Sequence, residues 1–479
     1  MYGSTYQNAF NGSNFDNIHF NAYTKVFIDT QTLLSNTSSD AFYTHFGVAK
    51  VLKAYTMILM VDLFGDMPYS KSLDGTELNP PLQDDAFIYE EALKLLDEAI
   101  IDLENPVSLP GTVTDLFFPN LSMSERIQAW KRVANTIKFK AYLNTREPEH
   151  INQLLSEGEL ILDHDHDFEF KYSTQQTNPD SRHPSFARNY MDATPPNDVL
   201  SNNYLNMLLT DKAFIDPRIN YYIYRQVITS TDDFNELPCL ITFTPAHFDE
   251  DDPFCLLPYG YYGYDHLSYL LVGDHLVKAT YGIYPAGGAF DEGKGGYTAS
   301  DLGLQGAGIE PILLSAFTHF MIAEAELLLR NNPSNARASL QTALEHSFNK
   351  VADFGQPFAA GTPFEITDST ISAYQAVVLE RFDAAPTSSE KMRVIAREYY
   401  FALWGNGYEA YNLMRRTGFP DRDDNLQPAL TPSPGNWPRS VLYPASMVNR
   451  NDNVDQKTMD DMLQGPFWDP SKGSTKFNF

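Results

Sequence analysis

Several stretches of this sequence carry residue types that could do chemistry. Asp163-His164-Asp165-His166-Asp167 alternates carboxylates with imidazoles, both donors to divalent cations. As a calcium loop it fails at position six, Phe168 where glycine should make the turn, and at position twelve, Thr174 where a glutamate should close the shell. The run therefore reads as a solvated loop after a helix at 150–162, with a weak divalent-cation site as the alternative. Gly288 to Gly295 (GAFDEGKG) nearly spells a phosphate-binding loop, with Gly293 and Lys294 in place. Gly295 stands where a hydroxyl should bind magnesium, however, and Asp291 and Glu292 would repel phosphate, which leaves a flexible loop. The cluster Asp249-Glu250-Asp251-Asp252 offers carboxylates for glycoside hydrolysis, but nothing in the spacing sets two of them across one bond. Nucleophile-elbow, zinc-protease and Ser-His-Asp patterns are missing. The expectation is no catalytic residue, no metal ligand and no cofactor.

The aromatic residues carry more. From Phe254 to Tyr297 the chain holds Tyr259, Tyr261, Tyr262, Tyr264, Tyr269, Tyr281 and Tyr284, most of them near glycine or proline. A sugar ring has an apolar face and a rim of hydroxyls, so an exposed tyrosine can stack the face while neighbouring polar groups bond the rim. The plainer alternative is that these rings glue an irregular lobe to the rest of the protein. Tyr259, Tyr261, Tyr262, Tyr264 and Trp437, the last between Asn436 and Pro438, are the leading stacking candidates. Trp130 and Trp404 fall on amphipathic helices and are expected in the core. Arg415 and Arg416 have the chemistry to clamp a carboxylate, or to form scaffold ion pairs. Cys239 and Cys255 match neither a zinc ribbon nor a CxxC pair; they form one disulfide or none, and are not metal ligands.

Composition bounds the partners. Sixty-two acidic against 34 basic residues give a formal charge of −28, which repels a phosphate backbone and argues against nucleic acid. Hydrophobic residues at 43% and charged residues at 20% describe a globular chain of 479 residues with a large core. The longest apolar helical run, 48–64, is interrupted by Lys50, Lys53 and Asp62, so it reads as a buried helix and not a membrane span. The polar start Tyr2-Gly3-Ser4-Thr5 is no signal peptide; either the protein is cytoplasmic or its true beginning lies upstream.

Helices must position these residues. Apolar spacing and caps predict them at 41–64, 85–103 after Asp84, 122–145 behind the capping box Ser122/Glu125, 310–331, 333–348 from Pro333, and 390–404 behind Thr387/Glu390. Segments 85–103 and 316–348 have the alanine and aromatic grammar of tetratricopeptide helices. Residues 163–300, rich in Pro, Gly, Asp and Tyr, hold short candidate strands at 221–228 and 240–243. The expected fold is mostly α: a tetratricopeptide-like helical scaffold (about 10–162 and 310–420) supporting a loop-rich irregular lobe with short strands (about 163–309). An irregular tail, 421–479, completes a single domain.

Ordered motifs then point to a family. Asp62-Leu63-Phe64-Gly65-Asp66-Met67-Pro68-Tyr69 resembles the FGDxPY turn that ends a long helix in the SusD/RagB-like family. Trp130-Lys131-Arg132-Val133-Ala134-Asn135 with Lys138-Phe139-Lys140-Ala141-Tyr142-Leu143 is similar to its WxKxAN helix, with Lys140 where arginine is frequent. Tyr281-Gly282-Ile283-Tyr284-Pro285-Ala286-Gly287-Gly288, Glu398 to Gly407 with Glu409-Ala410-Tyr411, Arg415 to Pro420, and Arg439, Tyr443-Pro444, Asn449, Asn451 and Phe467-Trp468-Asp469 follow in the family's order. The resemblance implies a non-enzymatic receptor that binds an oligosaccharide, or in the RagB branch a peptide, and hands it to a TonB-dependent SusC-like β-barrel transporter. It also implies an outer-membrane, cell-surface location. Membrane attachment would come only through a lipid anchor in an N-terminal region upstream of Met1. An α-helical glycoside hydrolase is the rival reading of another class.

Overall fold

The computed structural model describes residues 5–35, 42–73, 75–105, 115–191, 196–229, 231–235, 237–250, 252–268, 276–421 and 428–470. Helix α1, Tyr43–Phe64, is apolar on nearly every side, and Val51, Ala54, Met57, Ile58 and Val61 are all fully buried. It packs on α2, Asp85–Leu103, which starts where the Asp84 side chain accepts the Phe87 amide. The two helices approach closely because position 47 is glycine: a Cβ there would stand 2.6 Å from Leu103 Cγ and 3.0 Å from the Ala99 carbonyl. Helix α3, Met123–Thr145, opens with the reciprocal capping box of Ser122 and Glu125, and α4, Pro148–Glu157, packs beside it. These helix-on-helix pairings, repeated along the chain, make the tetratricopeptide-like scaffold.

The second helical group begins inside the loop-rich region with α5, Asn202–Thr210. It continues with α6, Ser315–Leu328, α7, Pro333–Ala359, α8, Asp368–Ala384, α9, Ser388–Ala402, and α10, Gly407–Thr417. Helix α6 packs on both α7 and α9. Two-stranded antiparallel sheets complete the described β structure: β1, Phe168–Lys171, pairs with β4, Ile309–Leu313, and β2, Ile223–Tyr224, with β3, Thr280–Tyr281.

Four expectations need correction. The helix predicted over 310–331 begins only at Ser315, because Ile309–Leu313 alternates buried and half-buried positions and pairs across to β1. The predicted strand at 221–228 shrinks to Ile223–Tyr224 behind a helical turn at Ile219–Tyr222. At 240–243 there is no strand; Pro238–Ile241 is a 3-10 turn, since Pro238 has no amide to give a ladder. Helix α7 also runs eleven residues past its predicted end at 348, through Ala359.

The chain divides into two compact units, Met1–Ile161 with Gly435–Lys476, and Leu162–Pro434 with Phe477–Phe479. In the first, the C-terminal segment closes on the helices: Trp468 Nε1 donates to Asp62 at 2.8 Å, and the Phe467 amide donates to Asp85. The FGDxPY turn is built into this arrangement, with Gly65 at φ 71° and Asp66 Oδ1 accepting the Asp85 amide. Lys140 is buried, its ammonium 3.8 Å from Asp62. In the second unit a buried ionic network, Lys212 with Asp211 and Glu398 and Arg218 with Asp216, joins α8 and α9 through the Tyr374 hydroxyl, which donates to Glu398. Charges this deep hold only because each is paired and hydrogen-bonded.

Candidate functional site

The aromatic run lies in the second unit, and its rings have separate fates. Cys239 and Cys255 are joined in a disulfide. Around it Leu237 and Tyr262 form a small core, with Val227, Leu240, Phe254 and Val277 against it. Tyr262 is 1% exposed, and its hydroxyl donates to the Thr229 carbonyl while accepting the Thr231 amide. Tyr261 is 2% exposed, and the Arg225 guanidinium covers its ring at 4.5 Å. Burial pushes the Tyr261 hydroxyl well above the usual phenol range. Neither ring presents a face to solvent, because each is consumed by the lobe's own core.

Tyr259 differs. Pro258–Gly260 is a single 3-10 turn in which Tyr259 adopts the left-handed conformation, φ 64° and ψ 21°, a backbone state that non-glycine residues seldom hold without cause. The turn is braced from below. Arg225 Nη1 donates to the Tyr259 carbonyl at 2.7 Å, and the same guanidinium grips Asp291 through Nε and Nη2. Gly260 must be glycine: its φ is 76°, and a Cβ would stand 2.5 Å from the Val227 carbonyl. The result holds the Tyr259 side chain 60% exposed.

A second exposed ring belongs to the neighbouring loop. Tyr297, 64% exposed, follows Gly295 and Gly296. The Gly296 amide donates to the Gln226 carbonyl, and Gly295 faces Gln226 and Ile228, the segment on which Gly260 also rests. Tyr259 and Tyr297 thus rise from loops anchored to one segment, 226–228. Tyr297 is not among the stacking candidates that the sequence suggests; its signal is the preceding Gly-Gly, which keeps a ring from being drawn into a helix or strand. Two exposed rings can stack sugar faces or other flat apolar groups and cannot by themselves break a bond.

The other candidates are distributed as follows. Tyr264 is half-buried, and the Lys278 ammonium sits 4.4 Å from its ring. Trp437, half-buried in the first unit, packs edge-on against Tyr6 with centroids 5.0 Å apart. Tyr284 is buried, Tyr281 pairs in β3, and Tyr269 and Asp251 lie outside the described residues. Trp130 is buried, whereas Trp404 is half-buried beyond the end of α9, stacked on Tyr204 with centroids 5.0 Å apart.

The polar motifs are largely structural. Asp291, in the phosphate-loop look-alike, is the buried partner of Arg225. Arg416 pairs with Glu324 at 2.6 and 2.8 Å, and Arg415 lies over the Tyr411 ring, both buried. Asp167 receives the Ser315 amide at the start of α6 and the Lys350 ammonium. Burial works to raise its carboxyl, but the His164 and Lys350 contacts hold it below the usual carboxylate range. His164, His319 and His346 meet beside this loop, and burial followed by the other two imidazoles pushes His346 down to about 4. Among the described residues no helix is long and apolar enough to cross a membrane.

Similarity to known proteins adds to this geometry. A family model described as "Starch-binding associating with outer membrane", the SusD-like type, matches residues 2–237. Among solved structures, a chitin-binding SusD homologue from Flavobacterium johnsoniae aligns with a TM-score of 0.64 at 17% identity, over 99% of this chain and 88% of that one. A SusD homologue from Bacteroides fragilis aligns with a TM-score of 0.66 at 16% identity, over 94% and 89%. A SusD/RagB family protein from Bacteroides thetaiotaomicron gives 0.65 at 17%, over 96% and 88%. A search of curated proteins finds no match. With the SusD-like model on its N-terminal half and the same fold along nearly its whole length, the chain belongs to the SusD/RagB-like family of outer-membrane nutrient-binding proteins, which bind and do not catalyse.

Proposed function

We propose that this protein captures an oligosaccharide at the cell surface by stacking it on Tyr259 and Tyr297, and delivers it to a TonB-dependent SusC-like transporter. The observation that carries the reading is Tyr259, an exposed ring on a left-handed turn braced by a buried ion pair. Strained backbone held by its surroundings clusters where ligands bind. Release matters as much as capture for a delivery protein, and stacking supported by a few hydrogen bonds provides moderate affinity. The chitin-binding relative supports a glycan ligand class. Attachment to the outer membrane would come from a lipid on a segment upstream of Met1.

Peptide capture is the second reading, favoured by exposed apolar residues around the disulfide, Ile241 and Phe243 among them. Titration with a panel of neutral oligosaccharides and unstructured peptides separates the two. Saturable glycan binding that weakens in Tyr259→Ala and Tyr297→Ala supports the first. Binding of peptides alone, lost on Phe243→Ser, replaces it with the second.

A further inference from the structure

The two exposed rings stand in a strongly acidic part of the chain whose cations are all engaged. Segment 225–297 carries three basic residues, Arg225, Lys278 and Lys294, against eleven aspartates and glutamates. We propose that the Tyr259 and Tyr297 site selects uncharged glycans and turns away chains that carry carboxylate or sulfate groups, with Glu292, Asp232 and Asp233 as the discriminating charges. The inference rests on the stacking reading and names its substrate class.

Holding an acidic sugar requires a cation, or a cluster of unengaged amides, to replace the water around its anion. None of the three basic side chains offers that. Arg225 is buried, with Nε and Nη2 on Asp291 and Nη1 on the Tyr259 carbonyl. Lys278 is 1% exposed and donates to the Gly263 carbonyl at 3.1 Å. Lys294 reaches solvent, but its ammonium bonds the Glu292 carboxylate two residues away. The glycine loop before Tyr297 turns amides inward as well: Gly293 donates to Asp291 Oδ1 at 2.8 Å, and Gly296 to the Gln226 carbonyl.

The carboxylates, by contrast, are exposed and near the rings. Glu292 follows the Asp291 that anchors the brace, and it lies close enough to the Tyr224 hydroxyl for its charge to act there. That hydroxyl adjoins the Tyr297 loop, since a Cβ on Gly296 would stand 3.2 Å from it. Asp232 and Asp233 continue the segment on which the Tyr259 turn rests: Gly260 faces Val227 and Ile228, and the Tyr262 hydroxyl bonds Thr229 and Thr231. Asp232 is four residues past Ile228, a span of at most about 14 Å. Charges at such distances are only partly screened, and like charges at an interface suppress the wrong partner.

The test is calorimetric titration with cello-, manno- and malto-oligosaccharides, each beside the same chain with its primary hydroxyls oxidised to carboxylates. Both are run at about 0.01 M and 0.15 M ionic strength, where the Debye length is roughly 30 and 8 Å. Expected is saturable binding of a neutral chain that weakens in Tyr259→Ala, with the oxidised counterpart at least about tenfold weaker at low salt and the gap narrowing at high salt. Glu292→Gln removes a carboxylate and releases the Lys294 ammonium, so it should narrow the gap by about threefold or more, and adding Lys294→Gln should widen it again. A gain of acidic-glycan binding cannot come from misfolding. An oxidised chain bound as tightly as its neutral parent, or a gap that neither salt nor Glu292→Gln moves, overturns this inference and leaves the stacking reading intact. No binding of any neutral chain, or binding indifferent to Tyr259→Ala, overturns the stacking reading and this inference with it.

Discussion

Arg225 and Asp291 form a buried two-point ion pair, Nε to Oδ2 at 2.6 Å and Nη2 to Oδ1 at 3.1 Å, and the same guanidinium holds the Tyr259 carbonyl. Removing one partner leaves an uncompensated charge. Asp291→Ala is expected to cost about 3–5 kcal/mol in urea unfolding, and to weaken glycan binding because the Tyr259 turn loses its brace. Unfolding curves and titrations that match the wild type would refute the bracing role.

Stacking and core tyrosines should respond oppositely. Tyr259→Ala and Tyr297→Ala should weaken glycan binding by about 1–3 kcal/mol, the scale of an interface hot spot, with little change in melting temperature. Tyr262→Ala should lower stability by about 3–5 kcal/mol, because deleting a buried ring leaves a cavity. Calorimetry and thermal melting on the same samples read both effects.

The Cys239–Cys255 bond closes a loop across a sequence separation of 16 residues. Chain-entropy reasoning puts its contribution at about 3 kcal/mol. Replacing both cysteines by serine should lower the melting temperature and raise amide exchange across 229–262, without altering metal content.

Acid should destabilise the fold before the carboxylates titrate. Burial pushes His183 and His266 down to about 4, against 6.5 for a free imidazole. Between those values the unfolded chain binds protons that the native one refuses, so stability is full above about pH 6.5 and falls as the pH drops toward 4. Melting temperature recorded from pH 7.5 to 4 should decline over that window, and the decline should shrink in His266→Gln.

Gly47 tests the helical pairing. Gly47→Ala inserts a methyl against Leu103 and the Ala99 carbonyl, and overpacking of this kind should cost about 1–3 kcal/mol despite alanine's better helix propensity. A neutral or stabilising result in urea unfolding would mean that α1 and α2 yield more readily than the structure implies.

What is legible in the sequence is what is locally determined. The helix predicted at 85–103 is Asp85–Leu103, because the Asp84 cap and the apolar spacing reside in the segment itself. Ile309–Leu313 reads as the start of a helix because its strand character depends on a partner, Phe168–Lys171, far away in sequence; only the alternation of buried and half-buried positions marks it in the fold. Tyr259, Tyr261 and Tyr262 are indistinguishable by composition. Their exposure is decided by an arginine at 225, an aspartate at 291 and a disulfide, none of which a local window contains. An aromatic, loop-rich lobe is therefore visible in the sequence, but not which of its individual rings face water.

The turn that presents Tyr259 occupies three residues, Pro258–Gly260, and its supports lie beneath it rather than beside the ring. Such an arrangement is modular. The side chain at position 259 can be exchanged for another flat or polar group without disturbing the helices, while Arg225, Asp291 and Gly260 preserve the perch. Diversification of ligand preference among related receptors would then proceed by substitution at the tip, with the brace as the slowly changing part.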